Sequence, residues 1–476
     1  MLPRSLRPAW LPPAFALAAS VGGAAVFTLI AYRFSPLVAL AVPIVVAAVS
    51  VILARPTLGI YLAVLTAPLE SFNLSSGGVA NFSPPQILLI LTGASAAAHM
   101  LTSAHRRAFA SAHVAFAALI VVASTGILFA PQSFTVAKFV VMWSVFLALS
   151  VWIAGADRHT RGMLLLAIAV SGAVLGLVGV LHGGTQELVA GGARATNRAS
   201  GGFTSPNTFG AYLVMTLPVA LVMSLRGSSA LRLPMLGAAG LIFAGVVLSL
   251  SREAFIGAAA ALAVLLLWAE FRRLFTGLLV VLALVTAFNL NPLLNSQQLT
   301  VVQQRLGTIG SSQEKSTNPR VRIWRTTPRI IADHLVLGVG EGNYVLVAAQ
   351  YGLYDLDGSV IPHAHDILLT VGAEMGLAGL AVFVWFLAAV ARAALARRRT
   401  PDFPFVLGLV ASLTGLFALG VFDYVLRTDV VMALVMLEVG LIVRYARLRE
   451  EEAAAPESER EGAARGAQPA IVATTT

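Results

Sequence analysis

The sequence contains no cysteine, so disulfides, thiolate nucleophiles and cysteine metal sites are all excluded. Charge is scarce as well: 11% of the residues are Asp, Glu, Lys or Arg, against about a quarter in a soluble globular domain. The chain is instead 58% hydrophobic, with a mean hydropathy of +0.84. A soluble fold is therefore excluded. The net charge of +10 does not indicate nucleic acid, because the arginines lie in short loops between apolar runs.

Apolar runs recur along most of the 476 residues, and each is long enough to cross about 30 Å of hydrocarbon as a helix. They lie near 14–32, 36–54, 57–69, 86–103, 112–130, 135–154, 162–181, 208–225, 233–250, 253–268, 274–290, 366–391, 403–422 and 428–446. The third run is short and the first pair is compatible with a re-entrant unit. We therefore predict an all-α polytopic membrane protein with 12–14 transmembrane helices.

The arginines predict how these helices are oriented. They cluster in alternate loops, at Arg106–Arg107, Arg158–Arg161, Arg226–Arg232, Arg272–Arg273, Arg397–Arg399 and Arg444–Arg449. Positively charged loops stay in the cytoplasm, so one orientation places all six loops and both termini there. The intervening loops then face outward, including 182–207, the turn at Leu250–Arg252 and the segment 423–427.

One outward segment, 291–365, is too long for an ordinary connection. Its second part, RVRIWRTTPRIIADHL, has the pattern of an amphipathic helix interrupted by Pro328, and the glycine-rich GVGEGNY that follows predicts a tight turn. We expect four regions: transmembrane helices over 1–290, an extracytoplasmic segment over 291–365, C-terminal transmembrane helices over 366–446, and a disordered cytoplasmic tail over 447–476.

The residues able to perform chemistry fall on the outward face. His363, His365 and Asp366 lie where the long segment re-enters the membrane, Arg198 precedes a span, and Arg252 lies in the hairpin LSLSREAF. Other candidates are three arginines of the amphipathic helix and one acidic residue farther along, Arg320, Arg322, Arg325 and Glu374. Titratable groups at such places are costly unless they have partners, so they indicate a functional site.

Structural roles are open for each of these residues. His365 can make a structural hydrogen bond at a helix start, the arginines can contact lipid headgroups or form ion pairs, and Glu374 can bond inside the bundle. The His-x-His pair can also chelate a metal, helped by an acidic neighbour such as Asp355, Asp357 or Asp366. Residues two apart do not share a helix face, so a metal site requires an extended entry segment.

Arginines and one histidine at the same membrane surface suit a particular reaction. Guanidinium groups bind phosphate oxygens bidentately and stay charged, and a neutral imidazole accepts a proton from a hydroxyl near neutral pH. Together they suit attack by a hydroxyl on a sugar whose leaving group is a lipid-bound pyrophosphate.

The order of five motifs resembles the O-antigen ligase and O-antigen polymerase superfamily, which are bacterial membrane glycosyltransferases using undecaprenyl-pyrophosphate-linked glycans. The motifs are RASGGFTSPNTFGAYL, LSRE, RIW, LGVGEGNY and HAHDILLTVGAEMGLAGL, and the resemblance runs from about residue 160 to 385. The last resembles the family's His-Asn-x-x-Leu…Glu-x-Gly-Leu-x-Gly block. Asp366 stands where the family has Asn, which leaves its role open.

The resemblance implies a metal-independent glycosyltransferase of the GT-C kind, without cofactors, in the bacterial inner membrane with a periplasmic active site. It implies that His365 deprotonates the acceptor hydroxyl, while Arg198, Arg322 and Arg252 hold the pyrophosphate. Supporting roles are implied for five further residues, His363, Asp366, Asn207, Arg325 and Glu374.

The partners implied are an undecaprenyl-pyrophosphate glycan as donor and a hydroxyl acceptor. The acceptor distinguishes a ligase, which uses lipid A–core, from a polymerase or a protein O-oligosaccharyltransferase. The single long outer segment favours a ligase. A transporter of an anionic lipid-linked substrate is the alternative from another class, with Asp423 and Glu438 near or within the membrane as its possible sites.

Overall fold

A computed structural model of the protein describes residues 46–71, 83–102, 109–182, 186–188, 194–196, 198–287, 317–355, 358–396 and 400–454. The predictions made for 1–45, for 291–316 and for the tail beyond 454 lie outside these residues.

The chain is helical almost throughout this part. The helices are α1 (Val46–Ala54), α2 (Pro56–Leu65), α3 (Pro84–Thr102), α4 (Ser111–Thr125), α5 (Ser133–Ile153), α6 (Arg158–His182), α7 (Pro206–Arg226), α8 (Ser229–Leu248), α9 (Arg252–Leu265), α10 (Ala269–Ala287), α11 (Thr317–Asp333), α12 (Tyr344–Ala348), α13 (Ile367–Leu395), α14 (Phe403–Gly420) and α15 (Asp429–Ala454). A small antiparallel ribbon of β1 (Gln186–Leu188) and β2 (Arg194–Thr196) follows α6.

The prediction of an all-α polytopic membrane protein is confirmed. Seven helices of the described part are long and apolar enough to cross a membrane, namely α5, α6, α7, α8, α13, α14 and Ser111–Leu128, which extends α4. The bent pair α1–α2 makes eight if it counts as one span. The 12–14 predicted also include the runs 14–32 and 36–54, which lie wholly or partly outside the described residues. Of the segments counted there, α9 has only 14 residues, and charged residues interrupt the apolar stretches of α10 and α15.

Helix α7 lies at the centre of the bundle. It packs against α6, α8 and α14, and 94% of its membrane window is buried. Its sequence is apolar around its whole circumference, which is the pattern of a helix surrounded by protein. The ends of α7 therefore lie at the two opposite ends of the bundle, separated by about 30 Å for a helix of 21 residues.

Of the predicted arginine loops, those within the described residues gather at one end of the bundle, which we call the arginine end; Arg106–Arg107 and Arg397–Arg399 lie outside these residues. There Arg226 pairs with Glu270, Arg392 donates to the Ser111 hydroxyl and Arg447 donates to the carbonyl of Phe109. The opposite end, called the histidine end, carries the beginnings of α7, α9, α13 and α15 and the described part of the long segment. The alternation deduced from sequence is thus reproduced by the helix order.

The amphipathic helix of the long segment is α11, and it runs through Pro328 without interruption. Its apolar face carries Ile323 and Ile330, which are fully buried against Tyr344, Ala364 and other residues of a second, smaller core. The indole N–H of Trp324 donates to the carbonyl of His365 at 3.4 Å. Helix α11 thereby packs on the chain segment that carries the histidines.

The glycine-rich turn pairs with a break in α13. At Gly376 the backbone has φ 64° and ψ −164°, and a Cβ there would lie 2.3 Å from the carbonyl oxygen of Val336, so only glycine fits. The amide of Ala378 donates to Val336 at 3.2 Å, and the amide of Gly340 donates to the Glu374 carbonyl at 2.9 Å. The turn therefore satisfies backbone groups that the break releases from the helix.

Candidate functional site

Three loops meet at the histidine end. The segment 198–205 leads into α7, the segment 358–366 leads into α13, and the residues after Gly420 connect α14 to α15. The polar side chains of these loops are adjacent because α7 and α14 pack together and because α13 contacts both α14 and α15.

A chain of hydrogen bonds connects the loops. The Arg198 guanidinium donates through Nη2 to Asn207 Oδ1 at 2.7 Å, and Asn207 Nδ2 donates to Asp423 Oδ2 at 2.8 Å. The other oxygen of Asp423 lies 3.1 Å from His365 Nδ1. The relay from Arg198 to His365 thus uses four side chains from three separate loops.

Asp423 stays ionised in this arrangement. Burial opposes its negative charge, but the hydrogen bond from His365, the field of the nearby imidazoles and the hydrogen bond from Asn207 together lower its pKa. A carboxylate beside Nδ1 holds the ring proton on that nitrogen, and Nε2 is then the proton acceptor. This is the arrangement that a general base requires.

His363 supports the position of His365. The backbone amide of His365 donates to His363 Nδ1 at 3.2 Å, and the two ring centroids are 4.3 Å apart. Burial and the neighbouring His365 lower the pKa of His363 to about 3, so its imidazole is neutral. His365 itself has φ 51°, a left-handed conformation uncommon for a non-glycine residue and often found at functional sites.

His365 opens into a cleft of about 850 Å³ at the histidine end. The lining includes His363, Asp423, Asn207 and two cationic residues, Lys138 of α5 and Arg427 after α14. The sequence interpretation missed both cations. Arg427 was detectable from the sequence, because it is an arginine in a loop assigned to the outside, against the positive-inside rule.

The far side of this cleft is acidic and polar. Glu70 accepts a hydrogen bond from the Ser83 hydroxyl at 3.1 Å, and Gln86 Nε2 donates to Asp429 Oδ2 at 2.6 Å. Burial raises the pKa of Glu70 to about 7. The ring of Phe134, 67% exposed, lines the same cleft.

Two of the predicted arginines, Arg322 and Arg325, do not line this cleft. Both are exposed on α11, and Arg322 Nη2 donates to the carbonyl of Tyr354. Their neighbour Arg320 instead forms an ion pair with Glu253 at the start of α9. Arg252, the residue before Glu253, is half-buried and also does not line this cleft.

The two predicted acidic residues have local structural contacts. Asp366 is the N-cap of α13, where its Oδ1 accepts from the Leu369 amide at 2.8 Å. Glu374 is buried in α13 and accepts from the Tyr344 amide at 3.2 Å. The carboxylate next to the His365 ring is therefore Asp423, which the sequence interpretation considered only for a transporter.

The same cluster has the composition of a metal site. Ligand atoms of His363, His365 and Asp423 all lie within 4.8 Å of one another. Two imidazoles and a carboxylate suit Zn²⁺ and similar ions. The predicted His-x-His pair therefore meets a carboxylate, that of Asp423. Asp355 and Asp366 are not part of this group, and Asp357 lies outside the described residues.

Comparison with known proteins identifies part of the chain. Residues 237–384 match the family model described as O-Antigen ligase. This match supports membership of the O-antigen ligase and polymerase superfamily, on the evidence of that region of the chain. The matched region contains α11, the glycine-rich turn and His365, and it ends before Asp423 and Arg427. Members of the family are membrane glycosyltransferase-like enzymes, so the match supports an O-antigen ligase-like or polymerase-like function.

Other comparisons add less. No curated protein matches the chain. One solved chain is similar over 71% of this chain and 96% of its own length, with 17% identity and a TM-score of 0.38. Its structure is titled "Structural coordination of polymerization and crosslinking by a peptidoglycan synthase complex".

Proposed function

We propose that the chain is an O-antigen ligase-like glycosyltransferase, which moves a glycan from undecaprenyl pyrophosphate to a hydroxyl of lipid A–core. The observation that carries the proposal is the contact of His365 Nδ1 with the ionised Asp423, at the rim of a cleft that also holds cations. The match of residues 237–384 to the O-antigen ligase family model supports the same reaction class.

In the proposed reaction the acceptor hydroxyl lies against His365 Nε2. The imidazole takes the hydroxyl proton while the oxygen attacks the anomeric carbon of the donor sugar. The bond from that carbon to the pyrophosphate oxygen breaks, and the leaving group departs with the electron pair. Asp423 stabilises the imidazolium that forms, because its carboxylate is 3.1 Å away.

The leaving pyrophosphate requires fixed positive charge. Arg427 and Lys138 line the cleft directly, while Arg198 stands behind Asn207 with its Nε bound to the carbonyl of Ser249 at 2.9 Å. We therefore assign the pyrophosphate to the two cleft cations. To Arg198, which does not line the cleft, we assign the positioning of Asn207. We assign Arg322 to the docking of α11 through Tyr354, in contrast to the role that the family resemblance implies.

The reaction as proposed needs neither a metal nor another cofactor, since cations replace a divalent ion at the diphosphate. We place the arginine end and both termini in the cytoplasm and the histidine end in the periplasm, as the positive-inside rule predicts. The fold is then of the GT-C kind in a bacterial inner membrane.

Transport of a lipid-linked substrate has less support. Glu438 is fully buried within α15, accepts hydrogen bonds from the Ser412 hydroxyl, and does not line the cleft. Asp423 lies at the bundle end and is occupied by His365 and Asn207. Within the described residues, the polar groups around the cleft therefore lie at one surface and form no path across the bundle.

The test is reconstitution of the full chain with a lipid-pyrophosphate glycan, offering lipid A–core, a second lipid-linked repeat and a serine peptide in parallel. We expect transfer to lipid A–core and its loss in His365→Ala. His334→Ala, at the end of α11 and outside the cleft, should retain activity. Transfer by His365→Ala would refute the base assignment, and transfer only to the repeat or the peptide would refute the ligase assignment.

A further inference from the structure

A second cleft of about 890 Å³ lies at the arginine end, between α6, α7, α14 and α15. We call it the basic cleft and define it by the charged residues in its lining, Arg158, His159, Arg161, Arg226 and Asp402. It is separate from the catalytic cleft, because the two share no lining residue. The length of α7, about 30 Å, separates the two clefts.

The basic cleft has an excess of positive charge. Three guanidinium groups face one carboxylate in its lining. Two further carboxylates, Glu270 paired with Arg226 and Asp157 near Arg161, lie outside the lining. Arg161 is held in place, with its guanidinium carbon 4.9 Å from the ring centroid of Tyr445 and only 8% of the residue exposed. Arg158 is exposed. A fixed and an accessible guanidinium beside one another suit a phosphate group.

The rest of the lining is apolar. Met163, which is 38% exposed, lies beside Arg161 and Arg158 on α6, and Leu166 follows one turn later. Leu231 and Leu448 line the cleft from two other helices. A free phosphate would use only the arginines, whereas a phospholipid would use both the arginines and these apolar walls.

We propose that the basic cleft binds an anionic phospholipid, with the headgroup phosphate on Arg158, Arg161 and Arg226 and acyl chains along Met163 and Leu166. Basic pockets between helices at the cytoplasmic side of a membrane protein are suited to such headgroups. At the arginine end, the basic cleft contacts α7, α14 and α15. At the histidine end, the same three helices carry or precede Asn207, Asp423 and Asp429, which line the other cleft. Lipid binding should therefore stabilise the helices that position the catalytic cleft.

The proposal is tested on the purified full chain by native mass spectrometry and thermal unfolding. The ligands are phosphatidylglycerol, phosphatidylcholine and inorganic pyrophosphate. We expect retention and stabilisation by phosphatidylglycerol only. Each arginine removed should weaken binding by roughly fivefold, and the pair Arg158→Gln with Arg226→Gln by roughly 30-fold. Asp402→Asn should strengthen binding, since it removes the carboxylate from the lining.

The matched control is Arg273→Gln, an exposed arginine at the same end of the bundle that is outside the lining. An equal loss in the control and in the pair would refute a specific site. Binding of phosphatidylcholine as strong as that of phosphatidylglycerol would also overturn the proposal. Thermal protection by pyrophosphate equal to that by phosphatidylglycerol would overturn it in favour of a soluble phosphate ligand. If the paired variant does not purify as a single species, Arg158→Gln alone decides, because this residue is exposed. None of these readouts depends on glycan transfer, so the result is independent of the proposed reaction.

Discussion

Asp423→Asn tests the proposed base most directly. The substitution keeps the size of the side chain and removes its charge. In the wild type one oxygen accepts from His365 Nδ1 and the other from Asn207 Nδ2. An amide at 423 can offer its oxygen to only one of these partners and must present its NH2 group to the other. If the NH2 group faces His365, the imidazole must accept at Nδ1 and carries its proton on Nε2, which can then no longer act as the base. If the NH2 group faces Asn207, two amide donors face each other.

The expected loss follows from the geometry. When His365 is protonated in the transition state, an imidazolium lies 3.1 Å from a carboxylate that is 11% exposed. Coulomb's law gives about 1 kcal/mol for this pair at the dielectric constant of water and about 5 kcal/mol at an effective value of about 20. Each 1.36 kcal/mol is about tenfold in rate. We therefore expect Asp423→Asn to lower glycan transfer by about 10-fold to 10⁴-fold.

The assay is the initial rate of glycan transfer in proteoliposomes at matched protein levels, with thermal unfolding measured in parallel. Asp366→Asn is the control, because Asp366 also neighbours His365 in sequence but only caps α13. Asn caps a helix about as well as Asp, so this variant should stay within about threefold of wild type. More than a tenth of the wild-type rate in Asp423→Asn, or an equal loss in Asp366→Asn, would refute the reasoning.

Three further predictions concern charge at the histidine end. Arg322→Lys should lower the rate of glycan transfer by less than about tenfold and reduce stability slightly, because one exposed hydrogen bond to Tyr354 is worth about 1 kcal/mol. Near-complete inactivation would show instead that Arg322 binds the pyrophosphate. Micromolar Zn²⁺ should inhibit glycan transfer by binding to His363, His365 and Asp423, whereas EDTA should leave the rate unchanged. If EDTA abolishes activity and added Mg²⁺ restores it, the reaction depends on a metal. Burial raises the pKa of Glu70 to about 7, so this group contributes stability below pH 4.5 that is lost as pH rises through 7. Glu70→Gln should therefore raise the free energy of unfolding by at most about 3 kcal/mol at pH 8 and by less than about 1 kcal/mol at pH 5. An equal change in the free energy of unfolding at both pH values would contradict this prediction.

Membrane character and helix alternation were predictable from the sequence because both are local properties. An apolar run of sufficient length forms a helix in the bilayer whatever its neighbours are, and arginine loops sort by charge. The segment with His363 and His365, the start of α7 with Arg198 and Asn207, and the amphipathic α11 were all recognisable from residue pattern.

The tertiary structure decided which of these residues meet. Asp423 lies 58 positions from His365 and Asn207 lies 216 positions from Asp423, so no spacing rule connects them. Their contacts follow from the packing of α7, α13 and α14. The same packing turns Arg322 toward Tyr354 and brings Arg427 to the cleft. A sequence indicates which groups are costly to bury in a membrane. Which partner offsets that cost depends on helix packing, because the contacts are between side chains far apart in the chain.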